Sequence, residues 1–117
     1  MAKITNYIRG DSRTITLQVY QADGVTPLNL TGATAFFTVN ASSSPADDTA
    51  AVIQKTVTTH TAPLLGQTAF SISNTDTQLI APGTYYYDVQ IKDAAGAVVS
   101  QKASTIQIIA DITRRLV

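Results

Sequence analysis

Residues 82–92, Pro82-Gly83-Thr84-Tyr85-Tyr86-Tyr87-Asp88-Val89-Gln90-Ile91-Lys92, leave this chain few architectures to choose from. A Pro-Gly turn opens a run in which Tyr85, Tyr87, Val89 and Ile91 share one face. Tyr86, Asp88, Gln90 and Lys92 share the other. Strict alternation over this length marks a strand with one side on a core and one in water. A Leu, then Pro-Gly, then Tyr at the strand's start also writes a tyrosine corner, the device by which a sandwich pins the chain as it crosses between sheets.

Shorter strand-like runs surround this one. Lys3–Ile8 ends at Arg9-Gly10-Asp11-Ser12, and Arg13–Tyr20 follows with Ile15, Leu17 and Val19 inward and Thr14, Thr16 and Gln18 outward. Gln21-Ala22-Asp23-Gly24 turns the chain, and Pro27-Leu28-Asn29-Leu30 leads through Thr31-Gly32 into Ala33–Val39. There Ala35, Phe37 and Val39 share a face, while Phe36 points outward against expectation. Asn40–Ala50 is polar and aperiodic, an exposed loop between strands. Ala51–Val57 and Thr68–Ile72 flank the loop Thr58–Gly66, and Ser73–Leu79 reads as one helical turn crossing between sheets. After Lys92, Asp93-Ala94-Ala95-Gly96 suits a type I turn with a Gly bulge, so the last two strands, Ala97–Gln101 and Thr105–Ile109, complete a hairpin. About seven strands at roughly 8–15-residue spacing give an all-β fold, an immunoglobulin-like β-sandwich. The inward phases predict a core of Leu17, Val19, Phe37, Phe70, Tyr85, Tyr87, Val89 and Ile91.

The chain of 117 residues suits one domain, placed at residues 1–111, with 112–117 as a C-terminal tail after the alternation stops at Asp111. Eight Lys and Arg balance eight acidic residues, all of them Asp. A net charge of zero argues against nucleic-acid binding, which needs surplus cations to neutralise phosphates. It also leaves little repulsion between copies, so a homo-oligomeric or otherwise assembled state suits this surface. Without Cys, no disulfide or thiolate metal site exists. Met1–Asn6 lacks an apolar signal core and no run approaches membrane-spanning length, so the expectation is synthesis in a cytosol and no membrane partner.

The catalytic inventory is thin. His60, the one histidine, lies in the Thr-rich run Thr58-Thr59-His60-Thr61 and reads as a solvated loop residue. No Gly-x-Ser-x-Gly elbow supports a serine nucleophile. Asp47-Asp48 offers calcium-type oxygens but not the alternating spacing of a dedicated loop, and reads as a soluble loop tip. Arg9-Gly10-Asp11 spells an adhesive tripeptide, yet a Gly-Asp-Ser bend that starts a strand needs no receptor. Tyr86 alone remains outward as a sugar-stacking ring. The expectation is a protein without enzymatic activity, cofactor or metal. The tail supplies the candidate partner-binding residues Ile112, Arg114, Arg115, Leu116 and Val117, three apolar side chains with no intrinsic face and two cations to pair with another subunit. Lys3–Tyr7 is a candidate edge strand, expected to be ordered by a partner along with the tail.

The order of these motifs resembles the N-terminal domain of the baseplate upper protein family of tailed bacteriophages. The pattern runs Arg9-Gly10-Asp11-Ser12, Asp23-Gly24, Pro27-Leu28-Asn29-Leu30-Thr31-Gly32-Ala33-Thr34, Val52-Ile53-Gln54-Lys55, Ala81-Pro82-Gly83-Thr84-Tyr85 and Asp93-x-x-Gly96, covering Ile8 to Ile109. The resemblance implies a structural virion protein, an assembly or adaptor module of the tail or baseplate with other virion subunits as partners. This chain stops after the sandwich, without the long linker and helical region of that family. Two alternatives stand beside the adaptor: a capsid decoration protein, and a carbohydrate- or cell-binding adhesion module.

Overall fold

The structure is a computed structural model and describes residues 3–42, 51–101 and 104–111. Eight strands appear in chain order: β1 (Ile4–Ile8), β2 (Arg13–Gln18), β3 (Thr34–Asn40), β4 (Ile53–Val57), β5 (Gln67–Ile72), β6 (Gly83–Lys92), β7 (Val98–Ser100) and β8 (Ser104–Ile109). A 3₁₀ turn (Pro63–Leu65) precedes β5, and a single helical turn, α1 (Asn74–Thr77), links β5 to β6. One sheet runs β1-β8-β6-β3-β4, and β2 and β5 form the other. The turn at Asp93 folds β7 back along β6, and after an interruption β8 continues beside the same strand. Together these elements make an all-β, sandwich-like fold of two sheets.

Phe37 is the centre of the core. Its ring lies 5.2 Å from Phe70 of the small sheet and 5.5 Å from Tyr87 of its own sheet. Both contacts are tilted, the arrangement that aromatic quadrupoles favour. Val19, Phe37, Phe70, Tyr87, Val89 and Ile91 are buried as alternation predicts. Leu17 and Tyr85 are half-buried and pack against that core rather than lying within it. The Tyr85 hydroxyl donates to the Ala81 carbonyl at 2.5 Å, closing the tyrosine corner. α1 carries a capping box: the Ser73 N–H donates to Asp76 Oδ2 at 2.7 Å, and Lys55 reaches the same oxygen at 2.8 Å.

The N-terminal strand overturns one expectation. β1 does form a sheet edge, but it is ordered by the domain itself, in parallel pairing with β8. Asn6 adopts a left-handed φ of 56°, which Asn tolerates better than most residues. Three steps of β1, from Ile4 to Tyr7, therefore oppose two of β8, from Ile106 to Ile108. That bulge reverses the strand's phase and drives Tyr7, 1 % exposed, into the core.

Gly66 holds the other end. At its φ of 71° an added Cβ would fall 2.5 Å from the Val19 carbonyl oxygen and 2.9 Å from that of Leu28. Those two oxygens are backbone and cannot swing aside. Gly66→Ala should therefore cost at least about 2–3 kcal/mol by strain and overlap together. Phe37→Ala should cost about 3–5 kcal/mol from its cavity, and Tyr85→Phe only about 1 kcal/mol from one hydrogen bond. Urea unfolding of the three variants checks the order; a silent Gly66→Ala would contradict the packing described.

Burial pushes the Tyr7 hydroxyl up to about 12, with nearby Arg13 opposing and Asp76 and Asp11 adding to the shift. A folded-state value above the unfolded one means the fold keeps its proton when the unfolded chain has lost it. This contribution is intact below about pH 10 and is lost as pH climbs toward 12. Burial raises Tyr87 too, so absorbance titration should show two late-ionising tyrosines, and Tyr7→Phe should remove one of them.

Candidate functional site

The bend Arg9-Gly10-Asp11 closes one end of the sandwich. The Arg9 Nε lies 2.9 Å from Asp111 Oδ1, and both side chains are mostly buried. Its backbone N–H donates to the Ile109 carbonyl at 2.9 Å. Gly10 turns at φ 87° and donates its N–H to the buried Thr77 hydroxyl at 2.8 Å. The Asp11 N–H reaches the Ile8 carbonyl, and its own carbonyl accepts the Tyr7 hydroxyl at 3.1 Å. The tripeptide thus ties β1, β8 and α1 together, and its arginine is committed to Asp111 rather than offered to a receptor.

His60 departs from the sequence expectation. It is half-buried, with Nε2 2.8 Å from the Ala33 carbonyl oxygen and Nδ1 2.9 Å from Thr68 Oγ1. A carbonyl only accepts, so the neutral ring carries its proton on Nε2 and takes the Thr68 hydroxyl hydrogen on Nδ1. Both nitrogens are thereby used to pin the 58–66 loop between β3 and β5. The solvated reading fails because Thr68, fully buried, needs a partner, and among the described residues this ring supplies it.

The opening lies along β2. Val19 sends its N–H across to Gly66, while Gln67 turns its own away from β2 to Ala62. With Val19 and Gly66 continuing the register of the ladder, the odd residues of β2 face β5. Thr14, Thr16 and Gln18 therefore direct N–H and C=O outward, where no strand among the described residues pairs with them. Beside this free edge runs a groove of about 420 Å³, lined by Ile4, Ile15, Leu17, Tyr20 and the core-facing Tyr87, with Arg13 at one end. Arg13 sits 5.4 Å from the centre of the Tyr7 ring. The arrangement offers backbone hydrogen bonds over an apolar floor, which is what an added strand uses.

Tyr86 faces outward as expected, 38 % exposed. Asp47, Asp48 and the tail candidates Ile112, Arg114, Arg115, Leu116 and Val117 lie outside the described residues. Among the described residues, no helix is long and apolar enough to cross a membrane. No family model matches this chain, and none of the curated proteins does.

Sequence reasoning missed the β2 edge, whose openness depends on how strands divide between sheets. Two substitutions separate structure from recognition at the bend. Arg9→Ala should lower stability by about 1–3 kcal/mol, because it takes the guanidinium away from a mostly buried carboxylate, whereas Asp11→Ala should be nearly neutral. His60→Ala should cost about 1–3 kcal/mol through the orphaned Thr68 hydroxyl, and His60→Ala/Thr68→Val should recover part of that loss in thermal unfolding.

Proposed function

We propose that this chain is a non-enzymatic structural protein of a tailed-phage virion, an assembly module of the tail or baseplate that receives an extended segment of a neighbouring subunit along β2. The observation that carries the reading is the free β2 edge. Natural sandwiches blunt such edges with Lys, Pro, bulges or cover. Here the outward row is Thr14, Thr16 and Gln18, all uncharged, over an apolar groove. A strand laid there gains main-chain bonds to these three residues and buries side chains against Ile4, Leu17 and Tyr87. The motifs shared with baseplate upper proteins build the frame around this edge: the Arg9 bend, the Leu28–Thr34 approach to β3 and the Tyr85 corner. They support the family placement, and the edge supports the assembly role.

Thr16→Pro tests it. The Thr16 N–H points away from β5, so the ring removes a donor only from the docking side, a position where sheets accept proline. The variant should stay folded, with a melting temperature within a few degrees of the parent, yet be lost from purified particles. Immunogold labelling of particles carrying the parent chain should mark the tail end. Absence of the parent chain from particles would defeat the reading, head labelling would move it to capsid decoration, and full incorporation of Thr16→Pro would remove β2 as the docking element.

A further inference from the structure

The outer face of the larger, six-stranded sheet, on the side away from the β2 groove, carries a second and chemically different arrangement. Register places Thr56, Phe36 and Gln90 side by side across β4, β3 and β6, and Gln54, Thr38 and Asp88 in the next row. A third row sets Asn40 beside Tyr86 and Thr105. Apart from the two rings, this grid is hydroxyls and amides around one carboxylate. A depression of about 410 Å³ is sunk into it between Phe36, Thr38, Gln54, Lys55, Thr56 and Gln90.

Two polar groups here lack partners. Asn40, 6 % exposed, has no acceptor for its Nδ2. The half-buried Asp88 carboxylate makes no hydrogen bond or ion pair among the described residues, and burial raises its pKa. An ionised carboxylate held partly out of water without a donor is a cost the fold does not need, since Asn or Thr would serve a sheet face as well. Lys55 does not answer it, being bonded to Asp76.

Phe36 and Tyr86 bracket this pair. They stand four residues apart along the ladder, which at about 3.3 Å per residue is about 13 Å, on adjacent strands. Aromatic faces spaced along a surface with hydroxyl, amide and carboxylate groups between them match one ligand chemistry, a chain of rings with apolar C–H faces and hydroxyl edges. Asp88 at the centre of the grid opposes a phosphate backbone, and the two cations at its margin, Lys55, bonded to Asp76, and Lys92, next to Thr34, fall short of the row that phosphates need. A protein partner would want a larger dry patch at its centre.

We propose that the β3–β4–β6 outer face is a binding site for a short neutral oligosaccharide, with Phe36 and Tyr86 as stacking rings, Asp88 accepting sugar hydroxyls, and Thr38, Gln90 and Asn40 completing the hydrogen bonds. The site reaches beyond the assembly role: it gives the module a contact with a glycan while β2 is occupied.

The test is amide-resolved titration of the isotope-labelled chain with cellohexaose, maltohexaose, chitohexaose and mannohexaose, and with oligogalacturonate as an anionic control. At least one neutral probe should produce saturable shifts confined to residues around Phe36, Thr38, Tyr86, Asp88 and Gln90, and the anionic probe none. Asp88→Asn, which relieves the desolvated charge and leaves the fold intact, and Tyr86→Ala, at an exposed position, should each weaken binding by about tenfold or more. No saturable shift with any probe at millimolar concentration overturns the site. So does binding that both variants leave unchanged, or shifts that map to the β2 groove.

Discussion

The contact between Phe37 and Phe70 is the one on which the rest of this sandwich depends. Five strand positions make a broad sheet, but only β2 and β5 face it, and a two-stranded ribbon has little stability of its own. Phe70 is the ribbon's largest buried side chain, and it meets Phe37 at 5.2 Å between the layers. Tyr87 backs Phe37 from β6, so the ring is held on two sides. Immunoglobulin domains of antibodies join their sheets at this level with a disulfide packed against Trp. This chain has neither Cys nor Trp, and three aromatics in tilted contact take that place.

Much of the fold was legible because it is written in short-range rules. Alternation in β3, β5 and β6 set their faces, and the Tyr85 hydroxyl found the carbonyl four residues back. The exceptions have physical causes. Tyr7 escaped because the left-handed turn at Asn6 breaks the period of two, and a single residue in that conformation is not readable from composition. Leu17 kept its inward phase but lies beside the open edge, so burial stops halfway. Arg9 and Asp111 are 102 residues apart, and no local pattern announces a pair closed by the meeting of β1 and β8. His60 looked solvated because its neighbours are threonines, yet one of its partners, Ala33, lies 27 residues upstream, just before β3.

The candidate sites were less legible than the frame for a related reason. An open edge is a property of sheet partition, not of sequence: β2 reads as an ordinary half-buried strand, and only the division of strands into five positions and two shows what fails to pair with it. The outer face was half visible. Tyr86 stood out as an exposed ring, but its neighbours Phe36, Thr38, Asp88 and Asn40 come from two strands joined only by register. Phe36, the outward aromatic that strand alternation could not explain, acquires a reason once it is seen at the margin of a depression shared with Gln54 and Gln90.

The two proposed surfaces are arranged so that neither hinders the other. A strand added at β2 extends the small sheet sideways and covers inward-facing groups such as Tyr87, whereas Tyr86 and Asp88, its immediate neighbours in sequence, project from the opposite face of the same strand. Pleating thus serves both ends of the argument: one side of β6 closes the core and floors the groove, and the other presents hydroxyl-binding chemistry to solvent. Charge neutrality fits both uses. Mutual repulsion would oppose the dense packing of a proposed assembled particle, and surplus cations would draw phosphates to a face whose central charge is Asp88. In the proposed assembly, geometry would hold copies apart beforehand, because water would satisfy the outward donors of Thr14, Thr16 and Gln18 until a strand of matching register displaced it.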